Sequence, residues 1–154
     1  MKSLVRGTVL LASIAVLSFA GPSSADTVWG PRVGMSFNPD QIALGAHLSF
    51  PIATGFYFTP NADFAFGDDA TTFSLNGDAH YHFSTTGSLK PYLGAGVSYF
   101  NYSPDNFDSF SETGMNLNGG IWLNGNGSTP FFIEGKFFLS DQLPDFKLMA
   151  GVNL

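Results

Sequence analysis

From about residue 31 onward, apolar and polar positions alternate one for one, and clusters of Gly, Pro, Asn, Asp and Ser interrupt the alternation. No helical periodicity of useful length appears. Eight segments carry an apolar face: Val33, Met35 and Phe37; Ile42, Leu44, Ala46, Leu48 and Phe50; Phe56, Phe58, Ala62, Phe64 and Phe66; Phe73, Leu75, Ala79, Tyr81 and Phe83; Leu93, Ala95, Val97 and Tyr99; Met115, Leu117, Ile121 and Leu123; Phe131, Ile133, Phe137 and Leu139; and Phe146, Leu148, Ala150, Val152 and Leu154. None of these faces holds a charged residue. Segments of about ten residues suit tilted strands that cross a bilayer. The last segment ends on an apolar residue, as expected of a strand that pairs with the first one and faces lipid.

The intervening positions are small and polar: Gly34 and Ser36, Gly45, His47 and Ser49, Asn61 and Asp63, Asn76, Asp78, His80 and His82, Gly94, Gly96 and Ser98, Asn116, Asn118 and Gly120. Alternation alone does not say which face is outside, because a soluble lipocalin-like barrel alternates with its apolar face inward. Three features favour apolar-out. The polar face is mostly Gly, Ser and Asn, which suits a crowded lumen better than a wet exterior. Its charges nearly balance, with Arg32, Lys136 and Lys147 against Asp63, Asp78 and Glu134, as buried charges must. Aromatics gather towards strand ends, at Phe37, Phe50, Phe56, Phe66, Phe73, Phe83, Tyr99, Phe131 and Phe146, in the manner of the girdles at lipid–water interfaces. The expected fold is all-β, an eight-stranded antiparallel up-and-down transmembrane β-barrel.

Composition agrees. Only 12% of residues are charged and 16% are aromatic, against about 25% charged in a typical soluble domain. Residues 1–25 read as a cleaved signal peptide, with Lys2 and Arg6 before the apolar run Thr8–Ala20 and a small-residue site at Ser23-Ser24-Ala25. Residues 26–154 form the barrel domain. Without the signal, four basic residues face 12 carboxylates, a net charge of −8. That excludes nucleic acid as a partner, which requires a basic patch. Cysteine is absent, so neither a disulfide framework nor lipid attachment through cysteine is expected.

With both termini in the periplasm, the periplasmic turns are Pro51–Gly55, Ser84–Lys90 and Gly125–Thr129. The outer loops are Asn38–Gln41, Gly67–Ala70, Ser103–Ser111 and Ser140–Asp145. Asp40, Asp68, Asp69, Asp105, Asp108, Asp141 and Asp145 all fall in the outer set. Pro60 interrupts the third strand, and a bulge or a wet site is expected there because proline gives no ladder donor.

Lys90-Pro91-Tyr92-Leu93-Gly94-Ala95-Gly96-Val97-Ser98-Tyr99 resembles the fifth-strand signature of small outer-membrane barrels of the OmpA/OmpX and opacity-protein type. Ala150-Gly151-Val152-Asn153-Leu154 is similar to their closing strand. In that family the final residue is usually Phe and helps the assembly machinery recognise the chain; Leu154 departs from this. The resemblance implies an eight-stranded barrel in the bacterial outer membrane, in contact with outer-membrane lipid, lipopolysaccharide and the barrel assembly machinery. It implies no single activity, since structural, adhesive and enzymatic members share the fold. No peptidoglycan-binding domain is expected after the barrel.

Candidate chemistry is sparse. Arg32, Asp63, Asp78, Glu134, Lys136 and Lys147 are expected to form a lumen charge network, which plugs the barrel or gates a narrow channel for small solutes. Asp78, His80 and His82 share a face, but a zinc site needs a further ligand from another strand, and lumen hydrogen bonding is the expected role. His82 with Ser84 is a weak hint of a lipid-modifying enzyme. Asp105, Asp108 and Glu112 lack the spacing of a calcium loop. Asp105, Phe107, Asp108 and Phe110 are the candidate surface-contact loop, because two phenylalanines are unusual beside water. The expectation is a monomeric structural or surface-interacting protein with no catalytic residues, metal or cofactor.

Overall fold

The computed structural model describes residues 27–123, 130–141 and 144–154. Residues 1–26, 124–129 and 142–143 lie outside the described residues, and with them the expected signal peptide 1–25 and the expected turn Gly125–Thr129. Eight strands follow one another: β1 (Val28–Phe37), β2 (Gln41–Ala53), β3 (Phe56–Phe66), β4 (Ala70–His82), β5 (Leu89–Pro104), β6 (Phe110–Leu123), β7 (Phe131–Phe138) and β8 (Phe146–Val152). Each pairs antiparallel with its neighbours, and β1 pairs with β8, so the sheet closes on itself. Closure leaves no ladder edge unpaired, the condition for crossing lipid with strands.

Two-residue periodicity sorts side chains as the alternation predicts. Val33, Met35, Ile42, Leu44, Phe64, Leu93, Val97, Met115, Leu117, Ile133, Phe137 and Leu148 all stand exposed on the outer wall. Their partners in the alternation, among them Ser36, His47, Asn61, Asn76, Ser98, Asn116 and Lys147, are buried in the lumen. In water such a wall would be a severe aggregation liability; against acyl chains it is matched. Ring contacts mark both rims of this belt. Phe37 stacks on Phe146 at 5.9 Å, and Phe64 meets Phe73 at 5.0 Å, at the end that carries the β1–β2 connection. Phe56 meets Tyr81 at 4.9 Å, and Tyr81 meets Phe83 at 5.1 Å, at the other end.

Several boundaries differ from the sequence expectation: β1 begins at Val28, and Gln41 and Ala70 open β2 and β4 instead of closing loops. The turn after β2 contracts to Thr54 and Gly55, with the register shift between Pro51 and Ala53. Gly55 has φ 77°, a left-handed backbone that favours glycine. Lys90 is a strand residue opposite Trp122, not part of a turn. The third outer loop shrinks to residues 105–109, because β5 runs 16 residues and β6 runs 14, against 8 for β7 and 7 for β8. The upper part of the β5–β6 hairpin is stitched by exposed hydroxyls and amides. Tyr99 Oη lies 3.0 Å from Ser111 Oγ, Asn101 Nδ2 donates to the same Ser111 at 3.0 Å, and Ser103 meets Ser109 at 2.9 Å.

Pro60 makes no bulge. It faces Gly77 of β4 in an unbroken ladder, while the β2 ladder skips Leu48 and Ser49 and resumes in the same register. The missing donor therefore faces β2. In that gap the side chains of Ser49 and Thr59 take over, their hydroxyls 3.0 Å apart.

Candidate functional site

The six charged residues singled out on the polar face converge. Arg32 on β1 lies between two carboxylates, with Nε 3.1 Å from Asp63 Oδ1 on β3 and Nη2 3.2 Å from Glu134 Oε1 on β7. Lys136 on β7 reaches across the lumen to Asp78 on β4 at 2.6 Å. Lys147 on β8 pairs with Asp63 at 3.3 Å and donates to Ser74 Oγ at 3.0 Å. Three positive and three negative groups thus form two ion-pair clusters in a space closed to solvent, with Lys136 only 1% exposed. Buried charges survive only with such partners and with their remaining hydrogen-bond capacity filled.

That filling comes from residues the polar face shows but whose partners no local pattern gives. Asp78 also accepts from Asn61 Nδ2 at 2.8 Å and Asn116 Nδ2 at 3.0 Å. Asn76 donates to Asn61 Oδ1, and Asn118 donates to Asn116 Oδ1. Glu134 accepts from the Tyr92 hydroxyl at 2.8 Å. Glycine makes room for the bulk. A Cβ on Gly96 would meet the Asp78 carboxylate and the Gly77 carbonyl, so the strand opposite Asp78 needs a residue without one.

Below this network, towards the chain termini, His80 stacks on Tyr92 at 4.7 Å. His82 lies among Tyr57, Tyr92 and Trp122 at 4.5, 4.9 and 4.6 Å. His47 Nε2 bonds Asn153 Oδ1 at 2.9 Å. The cavity among Arg32, His47, His80, Tyr92, Phe132 and Glu134 measures about 10 Å³, room for no more than one water molecule. His82 is buried while Ser84 is exposed beyond the end of β4, and no hydrogen bond joins them. Among the described residues no three His, Asp or Glu side chains gather as a metal site.

Above the network the lumen turns apolar. Phe100 and Phe138 are buried edge to face, with centroids 5.0 Å apart. Lys147 Nζ lies 5.4 Å from the Phe100 ring centre and 6.0 Å from that of Phe138, a favourable cation–π geometry. Both rings are in phase with inward residues, Ser98 and Lys136, which is the signal by which the sequence marks them. Of the surface-contact residues, Asp105, Phe107 and Asp108 lie in the loop, and Phe107 is 81% exposed. Phe110 does not belong to the loop. It is the first residue of β6, opposite Tyr102, with the two rings 5.3 Å apart.

The sequence matches no protein-family model and no curated protein. Solved structures match its fold. The N-terminal β-barrel domain of Pseudomonas aeruginosa OprF superposes with a TM-score of 0.68 at 18% identity, covering 84% of this chain and 98% of that one. Neisserial surface protein A gives 0.60 at 17% identity, over 83% and 94% of the two chains. Ail, the attachment invasion locus protein of Yersinia pestis, gives 0.56 at 13% identity, over 82% and 94%. The chain therefore has the fold of the small eight-stranded outer-membrane β-barrels.

Proposed function

We propose that this protein is an integral barrel of the bacterial outer membrane, exported by its N-terminal signal, with a structural or surface-interaction role and no catalytic one. The observation that carries the proposal is the inversion of the molecule: an apolar wall rimmed by rings outside, and a neutralised ion-pair network inside. Lipid and lipopolysaccharide contact the wall. The barrel assembly machinery closes β1 on β8. Since the apolar belt runs round all eight strands, the barrel is self-sufficient as a monomer.

The network and the rings fill the cross-section, which supports a plugged lumen over a channel. Gel mobility of protein taken from purified outer membranes tests the location: the unheated form migrates as a compact species and shifts on boiling. Recovery in the soluble periplasmic fraction with no shift overturns the reading. Planar-bilayer recording tests the plug, with no sustained conductance steps expected. Discrete steps that change on Lys136→Gln would instead establish a channel.

A further inference from the structure

We infer that the outer mouth of the barrel is a binding cup for one small, neutral, monocyclic aromatic molecule. Pro39, Thr72, Phe100, Tyr102, Phe110 and Pro144 line a partly open cavity of about 150 Å³. An apolar cavity of about that size in a protein core holds one benzene ring. Of the six described lining residues, three offer ring faces or edges to an aromatic guest and two offer a rigid pyrrolidine wall. The Thr72 hydroxyl donates to Gln41 Oε1 at 2.8 Å, so it is not free to demand a polar partner. Among the described lining residues Tyr102 supplies the one phenolic group, suited to a guest with a single polar substituent.

The cup is built in advance. Its floor, Phe100, is held by the edge of Phe138, with Lys147 over both rings. Its two prolines sit on different loops tied to each other. Asn38 Nδ2 donates to Asp145 Oδ2 at 2.8 Å, and the Asp145 amide donates to the Phe37 carbonyl at 3.2 Å. Tyr102 and Phe110 fix the opposite wall through their ring contact. Little side-chain ordering then remains for a guest to induce, which favours binding. The outer loops are uniformly acidic, with Asp40, Asp68, Asp69, Asp105, Asp108, Asp141 and Asp145 in or beside them, so an anionic aromatic is repelled on approach.

The test titrates phenol into the full-length barrel refolded in detergent micelles and follows backbone amide shifts by NMR. Saturable shifts confined to Thr72, Phe100, Tyr102 and Phe110 are expected. Benzoate and cyclohexanol should each bind more weakly than phenol. Phe110→Asp, on a half-exposed side chain, should weaken phenol by about tenfold or more, because it sets an unpaired carboxylate against an apolar guest. Retention of the boiling shift shows that the variant still folds. The inference is overturned by non-saturating shifts spread over lipid-facing residues such as Leu93, which mean partition into the micelle. Undiminished binding in Phe110→Asp, or cyclohexanol binding as tightly as phenol, overturns it as well.

Discussion

A lysine fully enclosed in the lumen of a barrel is tolerable only if something fixes its charge, and Lys136 is fixed by Asp78 at 2.6 Å. Removing one member leaves the other uncompensated, which costs about 3–5 kcal/mol in buried pairs. Lys136→Met is therefore expected to lower stability by about 3 kcal/mol, the low end of that range, because Asn61 and Asn116 still donate to Asp78. Urea unfolding in micelles, read by gel mobility, measures it. Adding Asp78→Asn to that variant should recover at least half of the loss, since no buried charge is then stranded. The membership of this network was legible in the sequence, because parity alone puts Arg32, Asp63, Asp78, Glu134, Lys136 and Lys147 on the polar face. Who meets whom was not. Lys136 and Asp78 sit on β7 and β4, and their meeting depends on how far the strands stagger as the sheet closes, which no local pattern records.

At the scale of the strand, alternation predicted the elements where the outward face is apolar and lost them where it turns polar. On β5 the outward series Leu93, Ala95, Val97, Tyr99 gives way to Asn101 and Ser103. On β6 Ser111 and Thr113 precede Met115. These polar outward positions read as loop, yet the ladder continues through them to Pro104 and Phe110. Phe110 was misplaced for the same reason. Pro60 went the other way: the sequence shows the missing donor but not that Ser49 and Thr59 bridge the gap. Pro60→Val restores that donor on an outward-facing position. It should stabilise the barrel by about 1 kcal/mol, a typical net hydrogen bond, measurable as a higher urea midpoint. Gly96→Ala acts in the opposite sense. Its methyl would collide with Asp78 and the Gly77 carbonyl, and overpacking of this kind costs about 1–3 kcal/mol, seen as a lower midpoint in the same assay.

The whole molecule is a closed wall of unequal height. The seam between β1 and β8 runs from the Asp145 amide on Phe37 to the paired Trp29 and Leu154, ten residues that at a rise of about 3.3 Å and a tilt of about 40° stand some 25 Å tall. That matches the apolar thickness of such barrels, about 25 Å. By the same geometry β5, with its 16 residues, stands about 40 Å tall. The surplus of about 15 Å begins where the outer face of the β5–β6 hairpin changes from rings to hydroxyls and amides. The hairpin, with the start of β4 paired to its top through Ala70 and Pro104, is therefore a mast on one side of a low hull. Phe107 lies in the connection at its tip and is 81% exposed. With the barrel in the outer membrane as proposed, chymotrypsin added to intact cells should cut after Phe107 before it cuts anywhere else, leaving the hull whole.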